Sequence, residues 1–157
     1  MQQGVSLFAM LKLIFIKTGL IYTIDLGLFK LYYFLLVSLL FVFMSLFIIF
    51  IERSLWRRMM LLTSMMLLLP HCSSDYKLIY IFLPLYFFVN TKEDRKSDLF
   101  YSFLLGFLLI PKDYHYLNGI LSDAGVSDIS ISMPINIVIL VLISIMIIKD
   151  GLTSKAG

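Results

Sequence analysis

One acidic side chain stands out by its surroundings. Asp75 lies in the polar string His71-Cys72-Ser73-Ser74-Asp75-Tyr76-Lys77, between two short apolar segments, Met59–Pro70 and Leu78–Asn90. A carboxylate placed near hydrocarbon is by default a candidate for function. Ser74 or Asp75 can equally cap a helix that begins near Tyr76, by accepting its orphan backbone N–H groups. The two roles are compatible. His71, directly after Pro70, can donate to a phosphate or a hydroxyl, or can sit as an interfacial histidine at a helix end. Lys77 can bind an anionic headgroup or anchor its helix at an interface.

Other candidates carry less. Tyr114, His115 and Tyr116 offer rings for stacking, but the interfacial aromatic belt explains them better. Asp123 and Asp128 lie among glycine and serine as solvated turn residues do. The single cysteine, Cys72, excludes an intrachain disulfide and a cysteine-rich metal site, and reads as a small filler. No phosphate-cradling glycine loop, zinc-binding helix motif or nucleophile elbow occurs. The residues themselves therefore name no catalytic group, no metal site and no cofactor.

The elements that must position these residues follow from composition. Sixty-one per cent of the 157 residues are hydrophobic and 15% charged, against roughly 45–50% and 25% in an average globular domain. Leu31–Ile51 contains no charge and is long enough to cross a ~30 Å hydrocarbon layer. The reading is an all-α integral membrane protein of about five transmembrane helices, at 28–51, 57–70, 77–90, 99–110 and 133–148. Residues 1–27, interrupted by Lys12 and Lys17 and broken at Gly19, read as an outer interfacial segment or a poor first span, and the interfacial placement keeps the charge bias consistent with five spans. The net charge of +3 is spread between apolar runs, not gathered on one face, so nucleic acid is not a partner.

Cation placement sets the orientation. Arg53, Arg57, Arg58, Lys92, Arg95 and Lys96 fall on one side, with Lys149 and Lys155 after the last span; Lys77 and Lys112 fall on the other. The richer side is cytoplasmic, which puts the C-terminus inside and residues 71–77 and 111–132 outside. Lys12, Lys17 and Lys30 reduce the bias without reversing it. Two segments are short for a crossing: 12 or 13 helical residues reach only ~18–20 Å. The turn between them is then expected below the outer surface, where polar backbone is tolerated only beside a cavity or protein.

With those residues in view, three stretches resemble the C-terminal part of the multispanning GT-C glycosyltransferases, nearest to family 87, whose members use polyprenol-phosphate sugars. They are Pro70–Tyr80 with the following IFLPLYFFV, the run Phe107–Lys112, and Gly4–Phe8 with the following AMLK. The resemblance implies a bacterial inner-membrane, multi-pass protein. It also implies transfer of a sugar from a lipid-phosphate donor to an extracytoplasmic acceptor, with His71, Asp75, Tyr76 and Lys77 as substrate-binding residues. Its implied partners are membrane lipid, a lipid-linked sugar donor and a separate N-terminal half. Two departures bear on activity. Ser74 stands where that family often has an aromatic residue, and nothing here corresponds to the first outer loop that carries the family's catalytic aspartate. The expectation is a single membrane domain, 1–157, forming the C-terminal fragment of a larger enzyme and inactive alone. The alternative is a small non-enzymatic membrane protein, a transporter or flippase subunit. The unmatched flanks of the short spans 57–70 and 99–110 weigh against a transporter repeat.

Overall fold

A computed structural model describes residues 6–18, 25–70, 75–91, 97–110 and 132–156. Every regular element among them is helical: α1 (Leu7–Lys17), α2 (Leu26–Phe50), α3 (Leu55–Leu68), a 3-10 helix (Asp75–Ile81), α4 (Phe82–Val89), α5 (Asp98–Leu109) and α6 (Ser132–Ala156). Of the five expected crossings, two are long and apolar enough by length and composition, Gly27–Phe50 and Pro134–Thr153. Leu78–Val89 and Asp98–Leu109 are apolar but shorter.

Helix boundaries follow local chemistry. Asp25 caps α2, its Oδ1 accepting from the Gly27 N–H at 2.7 Å. Pro70 stops the chain just beyond α3 because it has no N–H to donate and its ring crowds the preceding turn. Ile110, the residue after α5, is extended at ψ 126°, as expected for a residue that precedes a proline. Pro84 explains the split in the segment expected to be one helix over 77–90. It occupies the first turn of α4, where its missing N–H costs nothing, yet it cannot donate to the carbonyl of Tyr80. Upstream of it the chain adopts the tighter 3-10 form for seven residues, well beyond the usual three or four.

That form changes the reach of the segment. Seven residues at ~2.0 Å and eight at ~1.5 Å extend about 26 Å. The expectation of ~20 Å assumed an α-helix throughout.

Packing centres on α3, which meets α2, the 3-10 helix, α4 and α6. It is buried nearly all round: Trp56, Arg57, Met60, Leu61, Thr63, Ser64, Met65, Leu67 and Leu68 all lie inside. α6 turns one stripe inward, Ile137, Leu140, Ile143, Ser144, Ile147 and Gly151, at the three- and four-residue spacing of a helix face. α5 does the same with Tyr101, Leu104, Leu105 and Leu108. Phe8 of α1 packs on the start of α2, its ring 5.5 Å from Phe29 and 4.9 Å from Tyr33. α1 is thus clamped to the bundle, also touching α6.

The helices alternate in direction, and two contacts mark the bundle's ends. The Tyr33 hydroxyl donates to the Leu69 carbonyl at 2.8 Å, joining the early part of α2 to the end of α3. At the opposite end Arg57, Ser97, Tyr101 and Asp150 meet, joining the starts of α3 and α5 to the last turns of α6. Arg53, Arg57 and Arg58 at the entry to α3, Ser97 at the start of α5, and Lys149 and Asp150 near the end of α6 therefore share one end.

Candidate functional site

The most polar interior feature lies at that shared end. Arg57, in the first turn of α3, is 1% exposed. Its Nη2 stands 3.3 Å from Oδ2 of Asp150, longer than the ~2.7–2.9 Å of an optimal charge-assisted bond. The same Oδ2 accepts from the Ser97 hydroxyl at 3.0 Å and the Tyr101 hydroxyl at 3.1 Å. Ser97 and Tyr101 are four residues apart at the start of α5, so one helix face supplies both donors.

Aromatic rings surround the guanidinium. Its Cζ lies 5.3 Å from the centre of the Trp56 ring and 5.6 Å from that of Tyr101, within range of cation–π attraction. Trp56 makes edge contacts with Tyr101 at 5.1 Å and Phe88 at 4.8 Å. These walls exclude water from Nε and Nη1 of Arg57, which are buried and without a partner. Arg58 turns elsewhere, donating from Nε to the Glu52 carbonyl at 2.6 Å.

Glu52 is the second buried charge, 4% exposed. Oε1 accepts from the N–H groups of Arg53 and Ser54, both at 3.0 Å, at the entry to α3 where Ser54 makes no side-chain cap. A carboxylate suits the positive end of a helix. Oε2 is buried and unpaired. Gly151 lets it approach: a Cβ there would stand 3.1 Å from Oε2 and 2.8 Å from Cζ of Phe47.

This arrangement holds helices together. Asp150 binds α3 and α5 to α6 through one oxygen that already serves three donors, and Glu52 is occupied at the α3 entry. Among the described residues no group of three His, Cys, Asp or Glu could hold a metal ion.

Sequence reasoning missed the cluster because it read Arg57 as a topology signal and ended the last span at residue 148. α6 continues to Ala156. Extending the inward spacing past Ile147 reaches Asp150 and Gly151, and that periodicity was the available signal.

The expected binding residues fall elsewhere. His71 lies outside the described residues. Asp75, Tyr76 and Lys77 open the 3-10 helix, so a helix does begin where capping predicted one; their side chains also lie outside. Tyr114, His115, Tyr116, Asp123 and Asp128 are likewise outside. Asp25 is the cap of α2.

One apolar groove adjoins the end near Pro70. It runs between α2 and α3, holds about 470 Å³, and is walled by Phe34, Val37 and Phe41 on one side and Leu62, Met66 and Pro70 on the other.

No protein-family model, curated protein or solved structure matches this chain.

Proposed function

We propose that this chain is the membrane-embedded C-terminal portion of a glycosyltransferase that draws its sugar from a polyprenol-phosphate donor, with the turn His71–Lys77 contacting the donor. The observation that carries the membrane setting is the inverted distribution of apolar surface. α2 is the least buried long helix, with 17% of its most apolar window inside the bundle. Leu39 and Phe50 are each 71% exposed along it. α3, which carries two arginines, a threonine and a serine, is the most enclosed. Water would penalise a face of that kind, whereas lipid would cover it.

In this setting α2, α3, the 3-10 helix with α4, α5 and α6 make five passes. The shared charged end faces the cytoplasm by the cation bias. α3, at 14 residues too short to cross alone, is shielded from hydrocarbon by its neighbours, whereas the 12-residue α5 turns one face inward and leaves Leu99 and Phe103 exposed. The sugar-transfer part of the reading is supported by the resemblance of the three stretches around Phe8, Asp75 and Ile110. The hairpin of α3 and the 3-10 helix also brings Pro70 beside the early part of α2, at the end of the bundle that carries the expected turn.

In this reading the base is supplied by the separate N-terminal half. General-base catalysis requires a carboxylate within hydrogen-bond reach of the acceptor hydroxyl; among the described residues Asp25, Glu52 and Asp150 are engaged in helix contacts, and Asp98 lies in the first turn of α5. The purified chain should therefore bind a polyprenyl-phosphate hexose and show no transfer. His71→Ala and Lys77→Ala should each weaken binding about 10–150-fold, the worth of one charge-assisted contact. Turnover by the 157-residue chain alone would defeat the assignment as a portion. Wild-type donor binding by the double variant would reduce the turn to a connector and favour the non-enzymatic subunit.

A further inference from the structure

We infer that the groove between α2 and α3 is a binding site for one acyl chain of an anionic bilayer phospholipid, with its phosphate held by Lys30. The inference rests on the membrane setting proposed above. The groove's volume of about 470 Å³ lies within the ~300–1,000 Å³ of small-molecule sites, too small for another helix. Its walls are apolar except for Ser38. Phe34, Phe41, Leu62 and Met66 are exposed along it, so it opens sideways where lipid tails would lie. Met65 and Met66 line one wall with side chains that adapt to a flexible chain.

Charge placement selects the headgroup. Lys30, Phe34, Val37 and Phe41 recur at three- and four-residue steps, so Lys30 stands on the groove's own face of α2, one turn above Phe34. Lys30 is exposed, and its long stem can carry the ammonium toward a headgroup at the mouth. Asp25, the nearest acid on this helix, is five residues earlier, on the far side of the helix, and caps α2. Nothing along the walls could select a sugar, which favours a phospholipid over the sugar donor as occupant.

The test is native mass spectrometry of the full chain released from detergent, with phosphatidylglycerol, phosphatidylcholine or a polyprenyl phosphate added in turn. Membrane integration is checked first by alkaline extraction. The wild type should retain one phosphatidylglycerol per chain, preferred about fivefold over phosphatidylcholine, the effect of one lysine near an anionic headgroup. Lys30→Gln should remove the preference and leave basal lipid retention. Val37→Trp, which fills the groove, should abolish retention of both lipids; Leu39→Trp, on an outward face, should not. An integrated chain that shows no preference, or whose preference survives Lys30→Gln and Val37→Trp, overturns the inference and leaves the membrane setting intact. Displacement of phosphatidylglycerol by equimolar polyprenyl phosphate overturns the choice of occupant. A chain washed out by alkali overturns the membrane setting itself.

Discussion

Replacing Asp150 by alanine removes the acceptor shared by Arg57, Ser97 and Tyr101. The two hydroxyls lose about 1 kcal/mol each, and they can rotate toward other acceptors. Arg57 cannot adapt in that way. It is 1% exposed, already has Nε and Nη1 unpaired, and would be left a bare charge between Trp56 and Tyr101. Breaking a buried pair by removing one partner costs ~3–5 kcal/mol, so the stranded guanidinium dominates. For a chain of this size that corresponds to a drop in Tm on the order of 10 °C. Trp56 is the only tryptophan and touches the cluster, so its fluorescence during heating in detergent reports the event directly. Asp150→Asn should lose less, because its amide oxygen still accepts. The double variant Arg57→Met with Asp150→Leu should recover to within ~1 kcal/mol of wild type, since no member of the pair is then left as an uncompensated buried charge. If Asp150→Ala melts within 2 °C of wild type (about 1 kcal/mol or less), or the double variant is no better than Asp150→Ala, the cluster is not the latch described.

Gly151→Ala would gain up to ~1 kcal/mol of helix propensity. It would also drive a methyl into the 3%-exposed Phe47 ring and against the anchored Glu52 carboxylate, at a cost of ~1–3 kcal/mol; a lower Tm, partly restored by Phe47→Leu, is expected. Asp25→Ala should lower stability by ~0.5–2 kcal/mol while Asp25→Asn stays near wild type, measured in the same thermal assay. Topology can be read by membrane-impermeant thiol labelling on a Cys72→Ser background. Ser122→Cys should label in intact cells and Lys149→Cys only after lysis, and the reverse pattern would invert the orientation. Lys149 is preferable to Ser97 for this purpose, because Lys149 is exposed and Ser97 is bonded to Asp150.

The helical class and the two long helices could be read from the sequence because each leaves a long uncharged run, as Leu31–Phe50 does. The ends at Pro70 and before Pro111 were legible for the same kind of local reason. The interior was not. Arg57 and Asp150 are 93 residues apart, and only the packing of α3 against α6 brings them together. In sequence each resembles any charge at a helix end. The 3-10 helix was hidden because Asp75–Ile81 has ordinary helical composition; the deciding residue, Pro84, acts from three positions further on. His71, the most chemically suggestive residue of the expected turn, gains no structural support, since it lies outside the described residues.

The 3-10 helix has a torsional consequence. A 3-10 helix turns about 120° per residue and an α-helix about 100°. Over the seven residues Asp75–Ile81, conversion to α would rotate the leading end by roughly 140° about the axis and draw it in by about 3.5 Å. Pro84 thus acts as a set-screw: by denying Tyr80 its usual donor, it fixes the angular setting and length of a backbone segment whose leading end lies more than a full turn away.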